Sequence, residues 1–356
     1  MLNDLIEATE DGDIKAVQNQ IDRGANINAT DPFGKTALMY ASKDGNDEIV
    51  RFLLSKGAQV DAQDKDLSTA LMIASRKGRD GVVKTLIDNK ANVRFEDTHN
   101  KTALMYASEN GHNGAVETLI TYGKADVNFR SGGRTALMHA SENGHAQVVT
   151  TLIARGAKVD EINRNEGTAL MYASKGDHVE AVQALIIGGA KVDLQDKDYS
   201  TALIHASIRG HDKVVNTLIE GRAAVDGLNG GHTALMHASE NDNDRVVTTL
   251  IARGVNVNAT NGQGDTALMI ASRNGDVKIV ELLVERRADI DMRNIDGDTA
   301  FMIASKFCND EVAGYLKERG AKVDISPADR PDSLRTSVSP TSSGRLLPNV
   351  PQRGGD

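Results

Sequence analysis

Three groups of residues in this 356-residue sequence have types and spacings that could do chemistry. Gly34-Lys35-Thr36 has the form of the end of a phosphate-binding loop, in which backbone amides cradle the phosphate and the Lys neutralises it. The leading glycine of such a loop would fall at position 29, which is Ala29, and no strand precedes it. Nine histidines could ligate metal, and His139, His205 and His237 recur at matched positions. Zinc needs its ligand nitrogens about 2.0–2.1 Å from one ion, whereas matched positions on packed helices stand about 10 Å apart. Acidic pairs are numerous but recur down the chain, which marks a solvated face rather than one tuned pair. No spacing assembles a Ser-His-Asp or Cys-His nucleophile. The expectation is a chain with no catalytic residues, no metal and no cofactor.

What must position these residues is a repeat. A tetrapeptide recurs at Thr36, Thr69, Thr102, Thr135, Thr168, Thr201, Thr233, Thr266 and Thr299, at intervals of 33 residues with a single 32 before Thr233. It reads TALM or TALI in eight copies and TAFM in the ninth. Each copy continues x-Ala-Ser, a short polar stretch, an apolar stretch such as EIVRFLL, and a Gly-Ala-x-Val-type turn. Thr36 stands where a helix N-cap belongs, so its hydroxyl can satisfy an orphan backbone N–H. Ala37, Leu38 and Met39 open a short helix, and Ala41-Ser42 make one face small enough for a neighbouring helix to approach. After a break at Gly45, a second helix carries Ile49, Val50, Leu53 and Leu54 as one broad stripe. Gly57 then supplies a left-handed turn. Neither helix could bury its stripe alone, so the units must stack as a near-neighbour array. At 8–10 Å per packed helix, ten units extend roughly 90–100 Å.

Composition bounds the function classes. Aromatics make up 3% of the chain with no Trp, so the core must be Ala, Leu, Ile, Val and Met. A single Cys excludes a disulfide framework and fits a reducing compartment. A net charge of −9 argues against general nucleic-acid or anionic-membrane binding. No apolar run reaches the length of a membrane span, and the acidic start lacks a signal peptide's apolar core. These features predict a soluble cytoplasmic monomer, with the nucleus left open.

The 33-residue period and this order of pieces resemble the ankyrin repeat. Family-like segments stand at Gly111-His112, Gly144-His145, Gly210-His211, Gly24–Asn28 and Gly156–Asp160. The resemblance implies an all-α solenoid of helix-turn-helix units with hairpin-like tips over residues 1–324. A degenerate capping unit at 1–30 brings the count to ten, and a second helix from Glu311 to Glu318 closes the array. Two departures stand out. Ala replaces the family's Pro after Thr in all nine copies, which frees the unfolded chain by about 0.4–1 kcal/mol per site. Met replaces the family's His in eight copies and Ile204 in one, either as core packing or as a plastic binding stripe. A less rigid array is expected, flexing at Gly132-Gly133 and Gly230-Gly231; Lys124 reads as a one-residue insertion.

Ankyrin proteins generally grip other proteins with their tips and first helices, which line a concave face. By that resemblance, protein-partner residues are Phe33, Lys35, Lys65, Asp66 and His99 at the tips and Lys43, Arg76, Lys77, Glu109, Asn110, Glu142 and Asn143 on the helices. The x column adds Tyr40, Ile73, Tyr106, His139 and Tyr172, either as exposed anchors or packed between units. Early tips are mostly basic and later ones acidic, which is either a bipolar groove or two signs of solvated charge. Leu67 and Tyr199 stand where other tips carry Gly34, Gly133, Gly264 and Gly297. Either those two turns differ in type or the side chains serve a partner.

Residues 325–356 hold five of the six prolines and a Ser/Thr cluster with no apolar period, which predicts a disordered tail. Arg345, Pro348, Pro351 and Arg353 read as R-x-x-P-x-x-P and as P-x-x-P-x-R, both similar to peptides that bind SH3 domains. Ser339-Pro340 has the form of a proline-directed phosphosite. Together these features predict a non-catalytic scaffold or adaptor for one or more proteins. The alternatives are a regulatory subunit or inhibitor of a partner enzyme, or a bacterial ankyrin effector delivered into a host cytosol.

Overall fold

The computed structural model describes residues 2–323. Among them run twenty helices of seven to nine residues in ten successive pairs. The first pair is Leu2–Glu10 and Ile14–Asp22, the second Ala37–Asp44 and Asp47–Ser55, and the last Ala300–Lys306 and Asp310–Glu318. Helices this short are marginal in water by themselves. Packing holds them: first helices stack on the first helices of neighbouring pairs, and second helices on second helices.

Each first helix from the second pair onward starts at the repeating Thr. Thr36 has extended backbone (φ −94°, ψ 164°), and its hydroxyl accepts the Met39 amide at 3.3 Å. The same bond recurs through to Thr299 and Met302 at 3.4 Å. The Ala-Leu-Met run that follows turns inward and is buried. Met39, Met72, Met105, Met138, Met171, Met236 and Met269 lie in the core, and Met302 is half-buried. The Met column is therefore packing and not an exposed stripe. In three units it also recovers a polar contact, because the sulfurs of Met171, Met236 and Met302 receive the Thr amide at 3.4–3.5 Å. The Ala-Ser pair after it is fully buried in every unit but the last, where Ser305 is exposed, and small side chains there let adjacent first helices close up.

The second helices bury the apolar stripe read from the sequence: Ile49, Val50 and Leu53 are sealed, as are Val82, Val83 and Leu86 in the next pair. Each such side chain contributes about 1.5–3 kcal/mol when fully buried. Gly57 ends its helix at φ 91°. At the matching positions Lys90, Arg222 and Arg287 hold the same left-handed turn with φ of 66–69°, and the inserted Lys124 holds it at 56°. A cation near a helix C-terminus is favoured by the helix dipole, which offsets some of the backbone strain.

Neighbouring pairs are stitched by side chains that reach back about one repeat. The ring nitrogens of His112, His145, His178 and His211 sit 2.9–3.2 Å from the carbonyls of Arg76, Glu109, Glu142 and Lys175, at the ends of the preceding first helices. Asn243 and Asn309 do the same with their side-chain amides. A Cβ on Gly78 would stand 2.5 Å from His112 Nδ1, so the glycine of one pair makes room for the histidine of the next. A second row of stitches runs from Asn28 Oδ1 to the Gln59 amide (2.8 Å) and onward to Asp291 and Lys322.

Candidate functional site

The tips connecting successive pairs are built on one Asp or Asn each. Asp31 Oδ1 accepts the amides of Phe33 (2.8 Å) and Lys35 (2.7 Å), closing the turn. Asp64, Asp97, Asn163, Asp196, Asn261 and Asn294 repeat this pattern. The residue before the last amide needs positive φ. Gly34 meets that freely at 82°, and Leu67 (61°) and Tyr199 (59°) adopt it as well. Their turns are thus of the same type as the glycine tips, and their large side chains project outward, Tyr199 at 67% exposure.

Two tips differ in build. At Ser131-Gly132-Gly133-Arg134 and Asn229-Gly230-Gly231-His232, each Gly-Gly closes a two-residue hairpin with both φ positive. The backbone bonds are 2.9–3.1 Å at the first and 2.7–2.8 Å at the second. Elsewhere the tips join one another directly: the Lys65 amide bonds Phe33 O, Thr98 bonds Asp66 O, Lys197 bonds Asn165 O and Ile295 bonds Gln263 O, all at 3.0–3.1 Å.

The x column answers to the tips. The Tyr40 hydroxyl donates to Asp31 Oδ2 at 2.7 Å, and Tyr106 donates to Asp97 Oδ2. Asn163 donates to the Tyr172 hydroxyl at 2.6 Å, and His205 Nε2 meets Asp196 Oδ2 at 2.7 Å. The Asp31 bond, with burial, pushes the Tyr40 hydroxyl up to about 12. Burial and the Asp97 bond also raise Tyr106. His139 follows a Gly-Gly tip and has no Asp or Asn nine residues back; its Nδ1 has no partner among the described residues. Burial, helped by Arg134 and Lys101, pulls its pKa down to about 4. His237 follows the other Gly-Gly tip and is lowered by burial and by the His232 ring, 5.4 Å away.

A family model, ankyrin repeats (3 copies), matches residues 5–97, 81–163, 170–261 and 235–326, well over half of the chain. The chain belongs to the ankyrin repeat family. Among solved structures it is similar to the ankyrin repeat domain of Bcl-3, a unique member of the IkappaB protein family, at 28% identity and a TM-score of 0.55. That match covers 61% of this chain and 98% of the Bcl-3 domain. No curated protein matches the chain. Ankyrin repeats are protein-interaction modules, generally without catalysis of their own, and this array supports that role.

On the ankyrin face made of tips and first helices, Phe33, Lys65, Asp66 and His99 stand exposed, as do Lys43, Arg76, Lys77, Asn110, Glu142 and Asn143. Lys35, Tyr40, Glu109 and Tyr172 are half-buried. Ile73, Tyr106 and His139 are only 5–7% exposed. These three are packed within the stack rather than exposed, Tyr106 with its hydroxyl on Asp97 of the adjoining tip. The gradient from basic to acidic tips is cancelled on the spot at four tips: Lys101 pairs with Glu109 and Arg134 with Glu142, while Asp265 pairs with Arg273 and Asp298 with Lys306. Among the described residues no group of three His, Cys, Asp or Glu could hold a metal ion, and no helix is long and apolar enough to cross a membrane. The tail motif of Arg345, Pro348, Pro351 and Arg353 lies outside the described residues. The sequence reading missed the tie between tip and x column; its signal was an Asp or Asn nine residues before a Tyr or His.

Proposed function

We propose that this chain is a non-catalytic adaptor that holds a protein partner against the face formed by its tips and first helices. One observation carries the reading. Phe33, Leu67, Tyr199 and Ile295 project from tips on the same edge, 44–67% exposed. Leu67 and Tyr199 do so from left-handed backbone, at the position that three tips give to Gly34, Gly264 and Gly297 and two others to the polar Asn100 and Glu166. A bulky residue at such a φ costs of order 1 kcal/mol in stability, and an exposed apolar side chain recovers nothing from burial. A partner that covers these side chains supplies the missing gain, since exposed aromatic and apolar anchors dominate protein interfaces.

The test compares affinity capture by the full chain and by a Phe33→Ala, Leu67→Gly, Tyr199→Gly variant. Capture should fall sharply, whereas the thermal midpoint should stay or rise because glycine relieves the strained turns. Undiminished capture by this variant would remove the tips from the interface and sink the reading. We further propose one continuous array of ten repeats over 1–324, followed by a separate segment at 325–356 whose Arg345–Arg353 motif recruits an SH3 domain. Truncation after residue 325 should abolish SH3 capture and leave tip-dependent capture in place.

A further inference from the structure

Two columns of side chains cross the face of tips and first helices: the residue just before each capping Thr, and the residue eight positions later at the end of the first helix. Where both are ionised and opposite in sign, they close. Lys101 meets Glu109 at 2.7 Å, Arg134 meets Glu142 at 2.5 Å, Arg273 meets Asp265 at 2.7 Å, and Lys306 meets Asp298 at 2.7 Å. Lys175, facing Gly167, finds Asp196 of the next tip at 3.9 Å. The second and third helix pairs break this rule. Lys35 and Lys43 put two cations on one pair, Arg76 faces Ser68, and Lys77 follows Arg76. No carboxylate among the described residues lies within 4.0 Å of the charged nitrogens of these four, although every other cation in the two columns has one. Asp31, beside Lys35, is already committed to the tip amides and to the Tyr40 hydroxyl.

The four cations line a cleft of about 190 Å³ together with Tyr40 and Ile73. Clustered like charges repel, and a cleft lined by one sign of charge concentrates counter-ions of the other. We propose that this cleft is the docking point for an acidic peptide segment of a partner protein, whose carboxylates bridge Lys35, Lys43, Arg76 and Lys77. The proposal rests on the interaction reading above and names the partner's chemistry. A nucleic acid fits less well on three counts. The whole chain carries −9. A phosphate strand continuing along the face would meet Glu109 and Glu142. The Tyr40 ring, which a base would need for stacking, has the Lys43 ammonium 5.7 Å from its centroid.

The experiment titrates a fluorescently labelled Glu-rich peptide, and its Gln-for-Glu counterpart, with the full chain at low and high salt. The Glu peptide should bind in a salt-sensitive manner and the Gln peptide should not. Lys43→Glu with Arg76→Glu should weaken binding about tenfold or more, equivalent to about 1.4 kcal/mol. Lys191→Glu with Lys213→Glu changes the net charge equally outside the tips and first helices and should leave binding intact. The milder Lys43→Gln with Arg76→Gln guards against a folding defect and should give an intermediate loss. Absence of binding, equal binding of both peptides, or equal loss in the two reversal pairs overturns the proposal. So does a labelled oligonucleotide of the same charge that binds the cleft as tightly. If the tip variant loses its captured partner while the Lys43/Arg76 variant retains it, the adaptor reading stands and the acidic-segment proposal fails by itself.

Discussion

The tie between a tip and its x residue makes single polar atoms matter. Asp97 is buried, with both carboxylate oxygens engaged, one by tip amides and one by Tyr106. Tyr106→Phe leaves that second oxygen buried without its donor, so stability should fall by about 1–3 kcal/mol, read as a lowered denaturant midpoint. His139 sets a pH limit instead. Its pKa is pulled down to about 4 in the folded chain, below the ordinary value of 6.5. The unfolded chain therefore binds more protons between those values, and stability is full above about 6.5 and lost as pH falls toward 4. A shift of that size corresponds to roughly 3 kcal/mol. Denaturation at pH 7 and pH 5 should show the loss, and His139→Ile, the residue type at position 73, should remove much of it.

At the scale of elements, the tips form a discontinuous ladder. Direct backbone bonds link the tips at Phe33, Asp66 and Thr98, then Asn165 with Lys197, then Gln263 with Ile295. The two Gly-Gly hairpins interrupt the run, since their own bonds point inward to close two-residue turns. Amides of Lys65, Thr98, Lys197 and Ile295 should thus be protected in hydrogen exchange, while Gly132 and Gly230 exchange quickly. Equal protection across all tips would contradict this ladder. The helices were legible in the sequence because Thr caps and apolar stripes have a local cause that repeats nine times, and glycines such as Gly57, Gly156 and Gly254 mark many of the helix ends. The burial of Ile73, Tyr106 and His139 was not, because it depends on how closely adjoining units pack together. The shared turn type of Leu67 and Tyr199 was also hidden: the Asp64 and Asp196 side chains impose the backbone, and glycine was never required. That Lys35, Lys43 and Arg76 lack a carboxylate partner is visible in sequence only once the eight-residue partner column is known from the fold.

Across the whole molecule, stability is a sum over neighbouring pairs. All nine Thr-Ala starts lack the ring that would stiffen the unfolded chain, and four second helices end on a strained Lys or Arg in place of glycine. Calorimetry should give a broad or multi-step transition; one sharp transition at very high temperature would contradict this. The stitches add a direction to the sum. From His112 to Asn309, each donor sits on a later pair and its acceptor on an earlier one. On the ribosome, then, a first helix emerges with its final carbonyls open and is closed only when the next pair has been made. The growing end is always the loosest part of the nascent chain. A translational stall anywhere in the array leaves one unfinished seam at the exit tunnel, with everything already synthesised sealed behind it.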